Sequence, residues 1–584
     1  MINSFSSKVW NFLPNDLECI QEFAQKFKIS DLAVRVLLHR GFNSITEIES
    51  FLMTSLKTTI PDPALLIGMD LAVERVTKAI IARENIMIFG DYDVDGITST
   101  CLMVKYLKLL GIDATFHIPN RFSDGYGINA ESIRLAKERQ IELFIAVDSG
   151  TNSVAEIEDA QNFGIDVIVL DHHVQSVEVL PNAISIVNPN RIDQLEIGSA
   201  HIKYLCAAGV VFIFIMALRR HLKNIGFLKD TMDQNILHFI DIVALGTLCD
   251  VVELKGVNRA FVKYFLKHGG RSIGLLALMK AFGLKTVESP EDLSFFLGPA
   301  INAAGRIGDP MIALQLFLED DKDKADEIAN KLLSFNDQRK ILEKQLMSEA
   351  MAMIAKMNLE SNKGICVYGK EWHEGVIGII AGRIKEKFGK PTFVISFDSS
   401  GKGKGSARSV PGFHLGCFFE KAKKSRVIID GGGHALAGGF SIHFDQVLSF
   451  QEFINAIIEY DFANQLQIDH ELNYAIPLSS IAEELKILEP FGKGIEKPLF
   501  CIKKVRIKRM SKTKTGAHLM IIFSHHLGGK DIKGIIFSIS SKSNLLRMLE
   551  QNKDELLDVV GSISYNSQFG GSIVIEDVAS SLRN

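Results

Sequence analysis

Two hydrophobic rhythms divide the chain. Through the first eighty or so residues, apolar positions recur at helical spacing, as in DLAVRVLLHRGF and MDLAVERVTKAIIA (69–82), which predicts helices. Short apolar runs follow, IMIFG (86–90), LFIAV (143–147) and VIVL (167–170), each ending in polar or turn residues. Segments with helical spacing at 99–110 and 130–139 separate them. Strand, helix, strand alternation predicts a parallel sheet covered on both faces. From 320 to 357 the chain is charged and free of proline and glycine, with Ile328, Leu332, Phe335, Leu342, Leu346, Ala350 and Ile354 at helical spacing. That predicts one long helix, either joining two lobes or packed against one of them. GICVYG (364–369) and TFVISF (392–397) open a second α/β region that runs to about 462. Beyond it, LFCIKKVRI, HLMIIFS, IKGIIFSI and SIVIEDV alternate with turn signals, the pattern of a small β-barrel.

Composition narrows the class. A chain of 584 residues exceeds one core, so two to four domains are expected. With 47% hydrophobic and 23% charged residues it is globular, and a net charge of −4 excludes a globally basic surface. A nucleic-acid partner would therefore have to meet local patches. Seven cysteines are scattered singly with no CxxC pair, which favours a reducing compartment over a disulfide framework. The N-terminus lacks a signal-peptide layout, and the most apolar stretch (205–218) is shorter than a bilayer span and reads as a buried helix. A soluble, cytoplasmic protein without membrane contact is the expectation.

In a parallel α/β sheet, ligands bind beyond the carboxyl ends of the strands. IMIFG runs into Asp91, Asp93 and Asp95, LFIAV into Asp148, and VIVL into Asp171, His172 and His173. Five aspartates and two histidines are thus expected on one rim. Crowded carboxylates repel one another, and divalent cations relieve that repulsion; carboxylate with imidazole suits Mn²⁺, Fe²⁺ or Mg²⁺. Two cations about 3.5–4 Å apart can hold a water and a phosphate together. Gly96 and Gly150 allow close backbone approach at these turns. An EF-hand is excluded, because the twelfth position counted from Asp91 is Leu102. A strand-terminal Asp alone reads as a helix cap, but three acidic strand ends so near in sequence favour a metal site. Asp250, in the apolar segment IDIVALGTLCDVVEL, needs a partner. Its context leaves a helix-terminal ion pair and a metal ligand equally open.

Eight motifs then occur in order: GDYDVDG (90–96), VDSG (147–150), DHH (171–173), ALGTLCDVV (244–252), GPAINAAGR (298–306), WHEGVIGIIAGR (372–383), KGSARS (404–409) and GGGHALAGG (431–439). On these the chain resembles the DHH phosphoesterase superfamily and, within it, the RecJ family of single-strand-specific exonucleases, over nearly its whole length. PFGKG (490–494) resembles the start of that family's OB-fold. The resemblance implies an α/β fold with two lobes joined by a long helix, plus a C-terminal OB-fold barrel. The implied domains are 1–82 (helical, packed on the catalytic lobe), 83–318 (DHH catalytic), 319–358 (connecting helix), 359–463 (DHH-associated, substrate-binding) and 464–584 (OB-fold-like).

The resemblance further implies two divalent cations, Mn²⁺ or Mg²⁺, held by Asp93, Asp95, Asp148, His172 and Asp250, with Asp148 bridging. His173 would contact the scissile phosphate, and Asp91 would orient a water or a ligand. Phe89 stands where many relatives carry histidine, and Ile495 where the family's barrel often has asparagine. For substrate, Arg306, Ser406 and Arg408 are candidates for a terminal 5′-phosphate pocket, alongside Asn302, His373, His434 and Gly438 from the matched motifs. Arg121 and Tyr126 combine a cation and an aromatic ring in one loop, suited to gripping backbone and stacking a base. Lys503, Lys504, Arg506, Lys508 and Arg509 alternate with apolar residues; this reads as a nucleic-acid face or as a lysine-protected edge strand.

The implied activity is a 5′-to-3′ exonuclease specific for single-stranded DNA, threading the strand between two α/β lobes and releasing 5′-mononucleotides in DNA repair and recombination. Single-strand-binding protein and a helicase are the partners expected from family role, and the chain is expected to be monomeric. The rivals are a phosphodiesterase for short oligonucleotides or cyclic dinucleotides, or an inactive scaffold of the same superfamily. The basic strand in the barrel weighs against the first, and the intact acidic positions against the second.

Overall fold

The structure, a computed structural model, describes residues 2–6, 8–197, 202–228, 235–459, 465–514, 516–539, 542–566 and 570–581. Two compact units emerge, one formed by Met53–Ile341 with Pro490–Ile495, the other by Met1–Leu52, Leu342–Glu489 and Glu496–Asn584. Two α/β lobes and a C-terminal OB-fold-like β domain make up the architecture.

The first unit is built on β1 (Ile86–Phe89), β2 (Thr115–His117), β3 (Leu143–Val147), β4 (Asp166–Leu170) and β5 (Ser185–Val187), in the order β2-β1-β3-β4-β5. All neighbours pair in parallel, with Ile86 opposite Leu143 and Val147 opposite Leu170. Every residue of β1 and β3 is buried, as an uninterrupted apolar run requires when both faces are covered. One face carries α1 (Met69–Ala82), α2 (Val94–Leu109), α3 (Ala207–Asn224) and α4 (Ile240–Cys249) in a single apolar cluster. On the other face Phe89, Phe144, Val167 and Val169 pack with Ile133 and Ile157. Further along, α5 (Gly298–Ile307) follows a π-helical turn at Asp292–Leu297. The apolar segment read as a buried helix is the fully apolar part of α3, and no described helix is long and apolar enough to cross a membrane.

The predicted long helix is α6 (Lys322–Lys356), within which one unit gives way to the other, between Ile341 and Leu342. The second unit's α/β lobe has β6 (Ile365–Lys370) parallel to β7 (Thr392–Phe397). Its antiparallel strands are β8 (Lys402–Arg408), β9 (Asp430–Gly433) and β10 (Ala437–His443), and α7 (Glu374–Phe388) covers β7 and β8. The barrel comprises β11 (Phe500–Lys512), β12 (Leu519–His525), β13 (Ile532–Ile536), β14 (Leu557–Asn566) and β15 (Gly570–Ser580). Pairing of β11 with both β12 and β14 closes it.

Segment 1–82 is divided between the units: Met1–Leu52 belongs to the one that carries the barrel, and the rest, with α1, to the one built on the catalytic sheet. The cause is a strand with little sequence signature. Val9–Phe12 pairs in parallel with Gln465–Ile468, and Trp10 donates from Nε1 to Asp577 Oδ2 at 2.9 Å. Asp469, 2% exposed, accepts from both Arg40 Nη atoms (2.8 and 3.2 Å) and lies 3.0 Å from His39 Nδ1, and these partners offset burial and hold its carboxyl low.

Candidate metal centre

The carboxyl ends of β1, β3 and β4 lie side by side, so the turns that leave them converge. After β1, Asp93 caps α2: its Oδ1 accepts from Asp95 N (2.9 Å) and Gly96 N (3.1 Å). The cap reading is thus fulfilled by one oxygen of the carboxylate. Gly96 is required here, because a Cβ would lie 2.4 Å from the Asp91 carbonyl oxygen. Asp95, inside the first turn of α2, sends both oxygens to the start of α3, accepting from Ala207 N (2.6 Å) and Ala208 N (3.0 Å). Burial and Asp93 push its carboxyl up to about 6, against the pull of those amides. Gly246 of α4 completes this contact, since a Cβ there would come within 2.9 Å of Asp95 Oδ1.

After β3, Asp148 adopts a left-handed backbone (φ 60°), a conformation costly for a residue with a side chain and characteristic of functional sites. Burial, then Asp95, Asp93 and Asp250, raise its carboxyl well above the usual range. After β4, Asp171 is a hub. It accepts from the backbone N–H of Thr151 (3.1 Å), His172 (2.7 Å) and His173 (3.1 Å), and bonds His173 Nδ1 at 2.8 Å. Burial opposes ionisation of Asp171, but the two histidines and these donors hold its carboxyl far below normal. Asp171 in turn outweighs burial at His173, lifting the imidazole to about 9. Burial and the neighbouring His173 depress His172 to about 3, so His172 is neutral and can donate a lone pair. Asn188 and Asn190 hold the two histidine carbonyls at 2.8 and 2.6 Å.

His172 Nε2 is the centre of the cluster, 3.3 Å from Asp148 Oδ1 and 3.7 Å from both Asp95 Oδ2 and Asp250 Oδ2. Asp250 ends α4, and burial with Asp95 and Asp93 raises it as well. Three overlapping groups have ligand atoms within 4.8 Å of one another: Asp148–His172–His173, Asp95–His172–Asp250 and Asp91–Asp93–Asp148. Among the described residues, buried Asp91 Oδ1, Asp148 Oδ1 and His172 Nε2 have no hydrogen-bond partner. Oxygen and imidazole donors left unsatisfied beside mutually repelling carboxylates fit divalent cations. Phe89 offers nothing to this set: it is fully buried and its ring stacks on Phe144 at 5.6 Å.

Beside the cluster is a cavity of about 290 Å³ lined by Asp91, Tyr92, Asp93, Arg121, Tyr126, Cys249, Asn302, Gly305 and Arg306. Four of the expected substrate residues therefore meet there. Tyr126 Oη lies 2.7 Å from His173 Nε2, and the Arg121 guanidinium sits over the Tyr92 ring at 5.3 Å.

The remaining candidates lie in the other unit. Arg408 donates from Nη1 to Ser406 Oγ (3.3 Å) and to Ala407 O (2.8 Å) on β8. Gly378 of α7 approaches both side chains so closely that a Cβ would sit 3.0 Å from Ser406 Oγ. His373 caps α7, while His434 is exposed on the turn leading to Gly438 in β10. On β11, Lys503 pairs with Glu471 at 2.7 Å and Lys508 with Asp531, while Lys504, Arg506 and Arg509 are exposed. The motifs do not single out Thr151, Asn188, Asn190 or the α3 terminus. Only NPN (188–190) carries a visible signal, as two amide side chains in a turn.

A family model for the DHH family N-terminal domain matches residues 85–247, one for the DHHA1 domain matches 361–460, and one for the RecJ OB domain matches 468–573. Fold and site therefore define a protein of the DHH class. The chain is 34% identical over 528 residues to the single-stranded-DNA-specific exonuclease RecJ of Salmonella typhimurium, covering 87% of this chain and 89% of that protein. It is 33% identical over 534 residues to the protein of the same name from Escherichia coli, covering 88% and 90%. The crystal structure of RecJ in complex with Mn²⁺ from Thermus thermophilus matches with a TM-score of 0.78 at 26% identity, over 98% of this chain and 79% of that one. The chain belongs to the RecJ family.

Proposed function

We propose that this chain is a metal-dependent exonuclease that degrades single-stranded DNA from the 5′ end and releases 5′-mononucleotides. The observation that carries the reading is the set of buried, unpartnered donors, Asp91 Oδ1, Asp148 Oδ1 and His172 Nε2, beside a cavity lined by Arg121 and Arg306. Asp93, Asp95, Asp148, His172 and Asp250 are the residues that would hold two divalent cations, Mn²⁺ or Mg²⁺. Bound there, the cations supply Lewis acidity towards water and phosphate oxygen. Asp91 is the donor available at the end of the site where Phe89 has none, and orients a water or ligand.

The protein's own groups do the rest. Asp171 accepts the hydrogen bond from His173 Nδ1–H and so keeps the imidazole protonated, which leaves Nε2–H to donate to a phosphate oxygen once Tyr126 shares or yields that atom. Arg306 and Asn302 hold the substrate in the cavity, and Arg121 with Tyr126 grips backbone and base. In the second unit, Ser406, Arg408, His373, His434 and Gly438 bind the terminal 5′-phosphate; the backbone N–H groups of the glycine-rich turn and the arginine fork suit an anion. On the barrel, Lys504, Arg506 and Arg509 are exposed cations for the strand beyond, with Lys503 and Lys508 joining once released from their carboxylates. Single-strand-binding protein and a helicase are the partners proposed on family role.

The test is a single strand labelled at either end and incubated with Mn²⁺. A 5′ label should appear at once in mononucleotide, while a 3′-labelled strand shortens progressively. Degradation from the 3′ end, or faster turnover of a dinucleotide than of a long strand, would overturn the reading.

A further inference from the structure

Six residues, Pro490–Ile495, belong to the catalytic unit although the chain on either side of them belongs to the other. Their backbone is fastened at three points. Arg259, whose long side chain is fully buried, donates from Nη1 to the Pro490 carbonyl at 2.8 Å. Leu254 N donates to the Lys493 carbonyl at 2.9 Å, and Gly492 and Ile495 exchange two N–H···O bonds of 3.0 Å each. Phe491 and Ile495 are buried. Gly494 has φ 79° and faces Glu253, where a Cβ would stand 3.0 Å from the carboxylate, so glycine is needed for both conformation and space. The residues that hold this turn, Glu253 and Leu254, come just after Asp250, so the turn is fixed to the chain leaving the metal centre.

That anchoring leaves Lys493 with a rigid backbone and an exposed side chain. Among the described residues no carboxylate lies within ion-pairing distance of its ammonium, and nearby Glu253 is already paired with Lys255 at 3.0 Å. A polyanion at the acidic cluster would meet Arg121 and Arg306 in the cavity, and Lys493 on the turn fastened to the chain that leaves Asp250.

We propose that Lys493 binds a backbone phosphate of the single strand next to the scissile one, at the Asp250 end of the metal centre. It sets the register of the strand and does not take part in bond breakage. The inference rests on the exonuclease reading above. A lysine on a turn fastened this way loses little backbone freedom on binding, while its flexible stem follows the phosphate.

The test uses the full chain as wild type, Lys493→Gln and Lys493→Arg. Binding of a fluorescein-labelled oligothymidylate is followed by anisotropy, with Ca²⁺ in place of Mn²⁺, over a range of salt. Cleavage of the same strand is measured with Mn²⁺. For Lys493→Gln, Kd and KM should rise together by about three- to tenfold with kcat unchanged. The slope of log Kd against log salt should fall by about 0.7, the value for one phosphate contact on a single strand. Lys493→Arg should restore both. Unchanged Kd and salt slope would overturn the proposal, as would a shifted Mn²⁺ half-saturation with unchanged Kd, which would make Lys493 a modulator of Asp250 alone. A wild type that binds the strand without cleaving it would refute the exonuclease reading, while the binding comparison would still decide the role of Lys493.

Discussion

Replacing Asp148 with Asn lowers Mn²⁺-dependent cleavage of single-stranded DNA by about a thousandfold or more, while binding of the strand in Ca²⁺ stays near the wild-type level. Asp148 has ligand atoms in two of the three overlapping groups, with Oδ1 buried and unpartnered. Two of its neighbours are already engaged, Asp93 Oδ1 in capping α2 and both Asp95 oxygens at the start of α3. Stability should move the other way. In chelated protein the Asp148 carboxylate is buried among Asp95, Asp93 and Asp250, which disfavours its charge. A neutral amide removes that repulsion, so the chelated variant should melt higher than chelated wild type. Added Mn²⁺ should raise the melting temperature of the wild type more. The melting curves with and without Mn²⁺, run beside the cleavage assay, check both halves; a variant as active as wild type would displace the site.

The second large effect is at Asp171, and it has the opposite stability signature. Asp171→Ala strips the acceptor from three backbone N–H groups and from His173 Nδ1. Breaking a buried, charge-assisted network of this kind costs about 3–5 kcal/mol. Because His172 and His173 lose the anchor that orients them, cleavage should also fall by about tenfold to a hundredfold, as for groups that orient metal ligands. Denaturant melts of metal-free protein would separate the two variants: Asp171→Ala is destabilised and Asp148→Asn is not. Unaltered stability in Asp171→Ala would contradict the hub seen around this carboxylate.

How far the sequence discloses this arrangement depends on how locally each feature is encoded. The strands β1, β3 and β4 are readable because a doubly covered parallel strand is an unbroken apolar run, and their acidic ends follow at once. Edge strands β2 and β5 are three residues each and carry no such run. β14 is equally hard to read, as LDVVGSISYN mixes glycine and serine into its pattern. Val9–Phe12 becomes a strand through pairing with a segment more than 450 residues away, a contact no local periodicity contains. At the site, the acidic residues and histidines that converge are legible, since they follow their strand ends directly. What stays hidden is the committed hydrogen bonding: Asp95 with the α3 terminus, Asp171 with its four donors, and Tyr126 with His173. The basic strand illustrates the same limit. Five cations alternate as a nucleic-acid face would, yet Lys503 and Lys508 have acidic neighbours supplied by other segments. Lys493 lies in the PFGKG motif, but the motif does not disclose that its turn is fastened to the chain leaving Asp250.

The central claim is that this carboxylate–imidazole cluster holds the divalent cations on which cleavage depends. Its most direct test is to titrate Mn²⁺ into chelated wild-type protein, measuring bound metal and release of 5′-labelled mononucleotide on the same samples. Two Mn²⁺ per chain should bind, with no cleavage before metal is added and a rate that follows occupancy. Cleavage by the metal-free protein, or full activity with the cluster unoccupied, would contradict it.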